Sequence, residues 1–164
     1  AAIADRLEVA KRIASFKKEF DFLFIVNDDL EVAKAVGADG VHVGKDDPTP
    51  EECRRFLGPD KIIGYSSHSL DEALEAERRG ADYVAFGAIF PTTTKGPGHP
   101  VQGLEKLRQV VETVTIPVVA IGGIGRANIK DVLATGVHSV AMISALAKAV
   151  NKTEEAKRLT AFFK

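Results

Sequence analysis

Apolar positions in this chain follow two alternating rhythms. Between residues 4 and 19, Leu7, Val9, Ala10, Ile13, Ala14 and Phe16 recur at helical spacing, with Asp5 early and Lys17 and Lys18 late. That pattern predicts an amphipathic helix whose end charges suit its dipole. Residues 22–27 (FLFIVN) are a short apolar run, which predicts a buried strand. The alternation continues with helices over 29–36, 49–57, 69–79, 104–112 and 127–134, and more helix from 145 onwards. Strands are predicted over 41–43, 62–66, 83–90, 117–121 and 139–143. Gly37 and Gly136 mark helix ends. Thr49, Pro50 and Glu52 open one helix with a capping box, and Ser69 with Glu72 predicts a second.

Three phrases repeat the same joint: Gly37-Ala38-Asp39-Gly40-Val41, Gly80-Ala81-Asp82-Tyr83-Val84 and Gly136-Val137-His138-Ser139-Val140. Each leads from a helix into a strand, as a repeating βα unit requires. Strict alternation of this kind implies a parallel sheet with right-handed crossovers. Two architectures satisfy it, an open doubly wound sheet and a closed (β/α)8 barrel. A closed barrel takes about eight strands and ~200 residues or more, and this chain is short of that by about two βα units and begins on a helix.

Composition narrows the function classes. The chain has 164 residues, 45% hydrophobic and 27% charged, with a formal net charge of −1. That is an ordinary globular balance, which favours neither nucleic acid nor an anionic membrane as partner. The single cysteine, Cys53, excludes an internal disulfide and fits a reducing, cytoplasmic compartment. It sits in a helical pattern with no matching cysteine, so no catalytic role is assigned to it. No apolar run is long enough to span a bilayer, and no signal peptide is visible.

The chemistry gathers just after the strands. Residues 91–98 (PTTTKGPG) set three hydroxyls and a lysine at the end of the central strand. In parallel α/β folds ligands bind at that end, and hydroxyl donors beside a lysine suit a phosphate ester. A polar surface loop is the other reading. Asn27 and Asp28 follow the first strand, and either bind a hard cation or form a turn leading to the helix cap Asp29. Asp46 and Asp47 follow the second strand, and either complete a magnesium site with Asp28 or form a polar loop. His42, between Val41 and Val43, reads as a buried hydrogen-bonded histidine. Ser66, Ser67 and His68 do not make a hydrolase triad: no G-x-S-x-G elbow is present, and adjacent residues on a strand face opposite ways. Gly122-Gly123-Ile124-Gly125, and then Ile143-Ser144 at the next strand's end, offer backbone N–H groups to an anion. This order matches the phosphate site found late in many barrels and favours the barrel.

The chain resembles thiamine phosphate synthase, a (β/α)8 barrel family. The resemblance rests on Asn27-Asp28, GADGVHVGKDD (37–47), GYSSHS (64–69), GADYVAFGAIFPTTTKGP (80–97), IPVVAIGGIG (116–125) and SVAMISAL (139–146). The P-T-x-T-K motif is the most specific of these. The family joins hydroxymethylpyrimidine pyrophosphate to thiazole phosphate and releases pyrophosphate. By resemblance, Asp28 and Asp47 would hold Mg2+. Asn27 and the catalytic groups Ser66 and Lys95 would contact the pyrophosphate. Thr92 and Thr94 would contact the thiazole, and Gly123, Ile143 and Ser144 would hold its phosphate. His42 and Tyr83 would line the pyrimidine pocket, which replaces the plainer reading of His42. The partners are then small molecules, and assembly with further copies of the chain stays open.

The chain departs from the family in two places. The family's opening strand, helix and strand, with a Q-x-R-x-K motif, have no counterpart here, and Lys45 stands where a Gln is usual. The resemblance therefore describes a single barrel domain over 1–164 whose N-terminal part is missing. The alternative is a related tautomerase-like or non-catalytic phosphate-binding barrel, a branch that usually lacks P-T-x-T-K.

Overall fold

The computed structural model describes residues 3–92 and 100–163. Helix α1 (Ile3–Ser15) leads through a short 3-10 turn into strand β1 (Ile25–Asn27). Five more strand–helix steps follow. They run α2 (Leu30–Ala35), β2 (Gly40–Val43), α3 (Pro50–Leu57), β3 (Ile62–Ser67), α4 (Leu70–Arg78) and β4 (Tyr83–Gly87). The remainder is α5 (Gly103–Thr113), β5 (Val118–Ile121), α6 (Ile129–Leu133), β6 (Ser139–Ala141), α7 (Ser144–Ala147) and α8 (Lys152–Thr160). All six strands are parallel, and their order in the sheet is their order in the chain. A doubly wound sheet reverses its strand order at a switch point, and this sheet does not. It is an arc of barrel type with six strands, in which β1 and β6 have one neighbour each. These six strands are the six that the sequence pattern predicts, and a closed eight-stranded barrel would take about two more βα units.

The two faces of the sheet are buried differently. Val41, Val43, Ile63, Val84, Phe86, Val118 and Ala120 point towards the helices and are fully buried. They pack against Cys53, Ala73, Ala76, Leu107, Val110 and Val132 of the covering helices, in two adjoining apolar clusters. Of the alternate residues, His42, Ser66, Tyr83, Val119 and Ile121 line the concave face and are only half-buried. The period of two along each strand thus separates a dry helix-facing layer from an open inner face.

The repeated joint has a physical purpose visible three times. Asp39 Oδ2 accepts the Phe24 N–H at 2.7 Å, and Asp82 Oδ2 accepts the Ile63 N–H at 2.6 Å. At the third joint His138 Nδ1 accepts the Val118 N–H at 3.2 Å. Each side chain satisfies a donor at the lower end of the neighbouring strand, where the ladder has not yet begun. A hydrogen bond from the Lys17 ammonium, with the Phe24 N–H, holds Asp39 below the usual carboxylate range. The preceding Gly37, Gly80 and Gly136 all have positive φ, as helix C-terminal glycines do.

Several boundaries differ from the sequence expectation. The strand expected over 22–27 pairs only from Ile25, and Leu23 is 69% exposed. The strand expected over 83–90 leaves the ladder after Gly87, although Ala88 and Ile89 remain buried and Ile89 N–H still bonds Ile121 O. The strand expected over 139–143 ends at Ala141. Thr49 and Glu52 form the expected capping box. The second box does not close: Glu72 accepts from His68 N–H instead of the cap residue, although Ser69 still accepts from Glu72 N–H.

Candidate active site

The carboxyl ends of the strands open on one mouth. On its first side the ladder sets Asn27, His42, Gly64 and Tyr83 level across four neighbouring strands. All four lie on the concave face, because each pairs in register with the next. His42 stacks on Tyr83, with ring centroids 5.5 Å apart, and its Nδ1 lies 3.0 Å from the Tyr83 hydroxyl. The other ring nitrogen, Nε2, lies 2.8 Å from Ser66 Oγ. Burial pushes the Tyr83 phenol upward from its ordinary value, so it stays protonated and able to donate at neutral pH. In the tautomer where Nδ1 accepts that proton, Nε2–H donates to Ser66, and the Ser66 hydroxyl can donate to a ligand oxygen.

Gly64 makes this cluster fit. A Cβ there would lie 2.1 Å from Tyr83 Cζ and 2.5 Å from His42 Nδ1. The network also bears on the rejected triad. Ser66 meets His42 on the next strand, whereas Ser67 is buried and bonds Ala85 O, and His68 faces Glu72. The partner on the far side of His42 is a phenol, not a carboxylate.

Asp28 follows β1 directly. Its φ is +63°, an uncommon left-handed conformation for which Asp is better suited than most residues. Its N–H bonds His42 O at 2.8 Å, which ties the turn to the second strand. Asn27 and Asp28 are exposed at the mouth, and Asp29 caps α2 by accepting from Val32 N–H. In the loop after β2, Asp47 Oδ2 accepts the Gly44 N–H at 2.8 Å. A Cβ on Gly44 would lie 3.6 Å from that oxygen and 3.9 Å from Ser66 Cβ, so Asp47 and Ser66 flank one point. No three acidic, histidine or cysteine side chains gather to hold a metal among the described residues. One or two carboxylates are nonetheless the protein share of a typical Mg2+ shell whose other ligands are substrate phosphate and water. Asp28 directly follows β1 and Asp47 lies in the loop after the adjacent β2.

The second side of the mouth is built from backbone. Gly122, Gly123, Ile143 and Ser144 line one crevice with Thr92 and Met142. Gly122 and Gly123 have φ of +98° and +66°, and among the described residues neither donates its N–H to a protein acceptor. A Cβ on Gly123 would lie 2.7 Å from both Phe90 Cβ and Pro91 O. Helix α7 begins at Ser144 but has four residues, so individual N–H groups matter more there than a helix dipole. A wider depression of about 570 Å³ lies alongside and shares Thr92, Gly123 and Ser144. Arg126 and Lys148 line it, and among the described residues none of the lining side chains is a carboxylate. Glu155 of α8 holds Arg126 there at 3.0 Å.

Thr94 and Lys95 lie outside the described residues. His42, Ser66 and Tyr83 come together in one hydrogen-bonded cluster, and Thr92, Gly123, Ile143 and Ser144 in one crevice. Reading the sequence missed Asn128, Arg126 and Lys148. The only local signal was an Asn three residues after the last glycine of GGIG. Cys53 is fully buried, with its thiol pushed up to about 11 by desolvation, so little thiolate forms at neutral pH.

Comparison with known proteins follows this geometry. Residues 2–146 match the family model described as thiamine monophosphate synthase. The thiamine-phosphate synthase of Pyrococcus furiosus is 48% identical over 162 residues, covering 97% of this chain and 77% of the relative. That of Shouchella clausii is 48% identical over 143 residues, covering 87% and 68%. The solved structure of thiamine phosphate pyrophosphorylase from Pyrococcus furiosus superposes with a TM-score of 0.91 at 44% identity, covering 98% of this chain and 77% of that one. A 3-hexulose-6-phosphate synthase structure, 21% identical with a TM-score of 0.71, shares the fold.

Proposed function

Because the chain belongs to the thiamine monophosphate synthase family, we propose that it joins hydroxymethylpyrimidine pyrophosphate to thiazole phosphate, giving thiamine phosphate and pyrophosphate. What supports this reading in the geometry is one mouth with two different sides. One side carries carboxylates, a serine hydroxyl and a stacked His–Tyr pair, and the other carries glycine N–H groups beside Lys148 and the paired Arg126. Two phosphorylated substrates that must meet end to end need such a pair of anchors.

The assignment of roles belongs to the same proposal. The pyrimidine ring packs against His42 and Tyr83. Its pyrophosphate takes the Ser66 hydroxyl, Asn27 and Lys95. Thr92 and Thr94 orient the thiazole, and the N–H groups of Gly123, Ile143 and Ser144 hold its phosphate. The C–O bond to pyrophosphate breaks and leaves a resonance-stabilised pyrimidinyl-methyl cation. The thiazole nitrogen then supplies the electron pair for the new C–N bond. No strong base or nucleophile is called for, which fits a site with a hydrogen-bonded His–Ser–Tyr chain. Mg2+ held by Asp28 and Asp47 would neutralise charge on the departing pyrophosphate. Half-burial of the concave face suits ring packing, and the remaining closure of the sheet into an eight-stranded barrel, as one domain, is part of this reading.

The test is a two-substrate assay that follows pyrophosphate release and thiamine phosphate formation together, with and without Mg2+. Stoichiometric appearance of both products only with magnesium is expected. Substrate binding without either product would overturn the transferase reading in favour of a binding barrel.

A further inference from the structure

Asn128 makes two hydrogen bonds that have no obvious purpose in helix α6, which it precedes. Its Nδ2 donates to Gly123 O at 3.0 Å, and its Oδ1 accepts from Gly125 N–H at 2.8 Å. A residue at a helix N-cap ordinarily turns its side chain forward, to the N–H groups of the first turn. Asn128 makes no such cap bond and reaches backward across the glycine loop instead. The amide orientation is fixed by its partners, because only the oxygen can accept the Gly125 N–H and only the nitrogen can meet a carbonyl.

The consequence falls on the Gly123 peptides. Asn128 holds the Gly123 carbonyl and so the peptide that follows Gly123, whose φ of +66° its missing Cβ permits. Its N–H is left without a protein acceptor among the described residues, and Gly123 lines the crevice with Ser144. Gly122 and Gly123 are free to rotate in the absence of such a clamp, since glycine has the widest backbone freedom of any residue.

We propose that Asn128 is a positioning residue: it clamps the Gly123–Gly125 loop so that backbone N–H groups stay aimed at the phosphate of the thiazole substrate. This rests on the transferase reading for the identity of the substrate, but not for the binding of a phosphate group. Asn128 also lines the wider depression beside the crevice, so the clamp and the ligand share one wall.

Two substitutions separate clamp from cap. Asn128→Asp keeps the acceptor for Gly125 N–H and is as good an N-cap as Asn, but it loses the donor and sets a carboxylate against Gly123 O. Asn128→Ala removes both bonds without adding charge. Both variants are expected to raise the KM for thiazole phosphate about tenfold or more, while the KM for the pyrimidine pyrophosphate stays within about twofold. In parallel, inorganic phosphate is titrated into the parent and into Asn128→Ala, with affinity read by calorimetry. The parent should bind phosphate and the variant about tenfold more weakly. Failure of the parent to turn over with intact phosphate binding would count against the transferase reading alone. Equal phosphate affinity in parent and Asn128→Ala, no phosphate binding by the parent, or a rise in both KM values that tracks a fall in thermal midpoint would overturn the clamp.

Discussion

Replacing Gly64 by Ala probes the His42–Tyr83 pair without touching either residue. The new Cβ would stand 2.1 Å from Tyr83 Cζ, 2.3 Å from its hydroxyl and 2.5 Å from His42 Nδ1. Carbon atoms in good contact stay ~3.5–4.0 Å apart, so the phenol ring must retreat by roughly 1.5 Å. The 3.0 Å bond to His42 then opens beyond hydrogen-bond range. Tyr83 is half-buried and faces the open side of the sheet, so the ring has somewhere to go. The stability cost should therefore fall at the low end of the ~1–3 kcal/mol usual for overpacking. At about 2–4 °C per kcal/mol for a chain of this size, the thermal midpoint drops by only a few degrees. Loss of one hydrogen bond at ~0.5–1.5 kcal/mol predicts a rise of about two- to thirteenfold in the KM for pyrimidine pyrophosphate. The KM for thiazole phosphate should not change, because that anchor lies on the other side of the mouth. Steady-state kinetics with each substrate varied in turn measures both. In a Tyr83→Ala background the same substitution should cost less, as coupled neighbours require. Unchanged pyrimidine KM, or equal rises for both substrates, would refute the placement of the ring against His42 and Tyr83.

Three further outcomes follow from the same geometry. Gly123→Val puts a side chain 2.7 Å from Phe90 Cβ and Pro91 O at φ +66°, and should raise the thiazole phosphate KM strongly; an unaltered KM would move the phosphate site elsewhere. Asp28→Asn and Asp47→Asn should each lower turnover by at least about an order of magnitude, and wild-type rates with unchanged magnesium dependence in both would remove them from the metal site. Asp39 has a folded-state pKa below its unfolded value, so its contribution to stability is complete above the ordinary Asp value of ~3.9 and is lost as pH falls through the lowered one. Asp39→Asn should therefore flatten the acid limb of the stability–pH profile measured by urea unfolding, and an unchanged limb would refute that linkage.

The βα rhythm was legible because each joint carries its own chemistry. Glycines with positive φ end the helices, and Asp39 and Asp82 satisfy N–H groups at the lower end of the preceding strand. The third joint uses His138 for the same bond, which explains why the phrase survives with Asp replaced. Strand ends were less legible. An apolar run reports burial and not pairing, so Ala88 and Ile89 read as strand although they have left the ladder, and Leu23 read as core although it faces outward. The site was legible as residue types at strand ends, but not as contacts. Ser66 and His42 are 24 residues apart and meet only through the β2–β3 register. Asn128 was not legible as part of the site, since a sequence does not reveal that its amide turns backward onto Gly123 and Gly125.

The most direct test of this account is a crystal structure with thiazole phosphate and an unreactive pyrimidine pyrophosphate analogue bound together with Mg2+. The account predicts the thiazole phosphate within hydrogen-bond reach of the Gly123 and Ser144 N–H groups. It predicts the pyrimidine ring against His42 and Tyr83, with the pyrophosphate at Ser66 and the metal between Asp28 and Asp47. A thiazole phosphate held away from the Gly123 loop, or a pyrimidine ring away from the His42–Tyr83 pair, would contradict it.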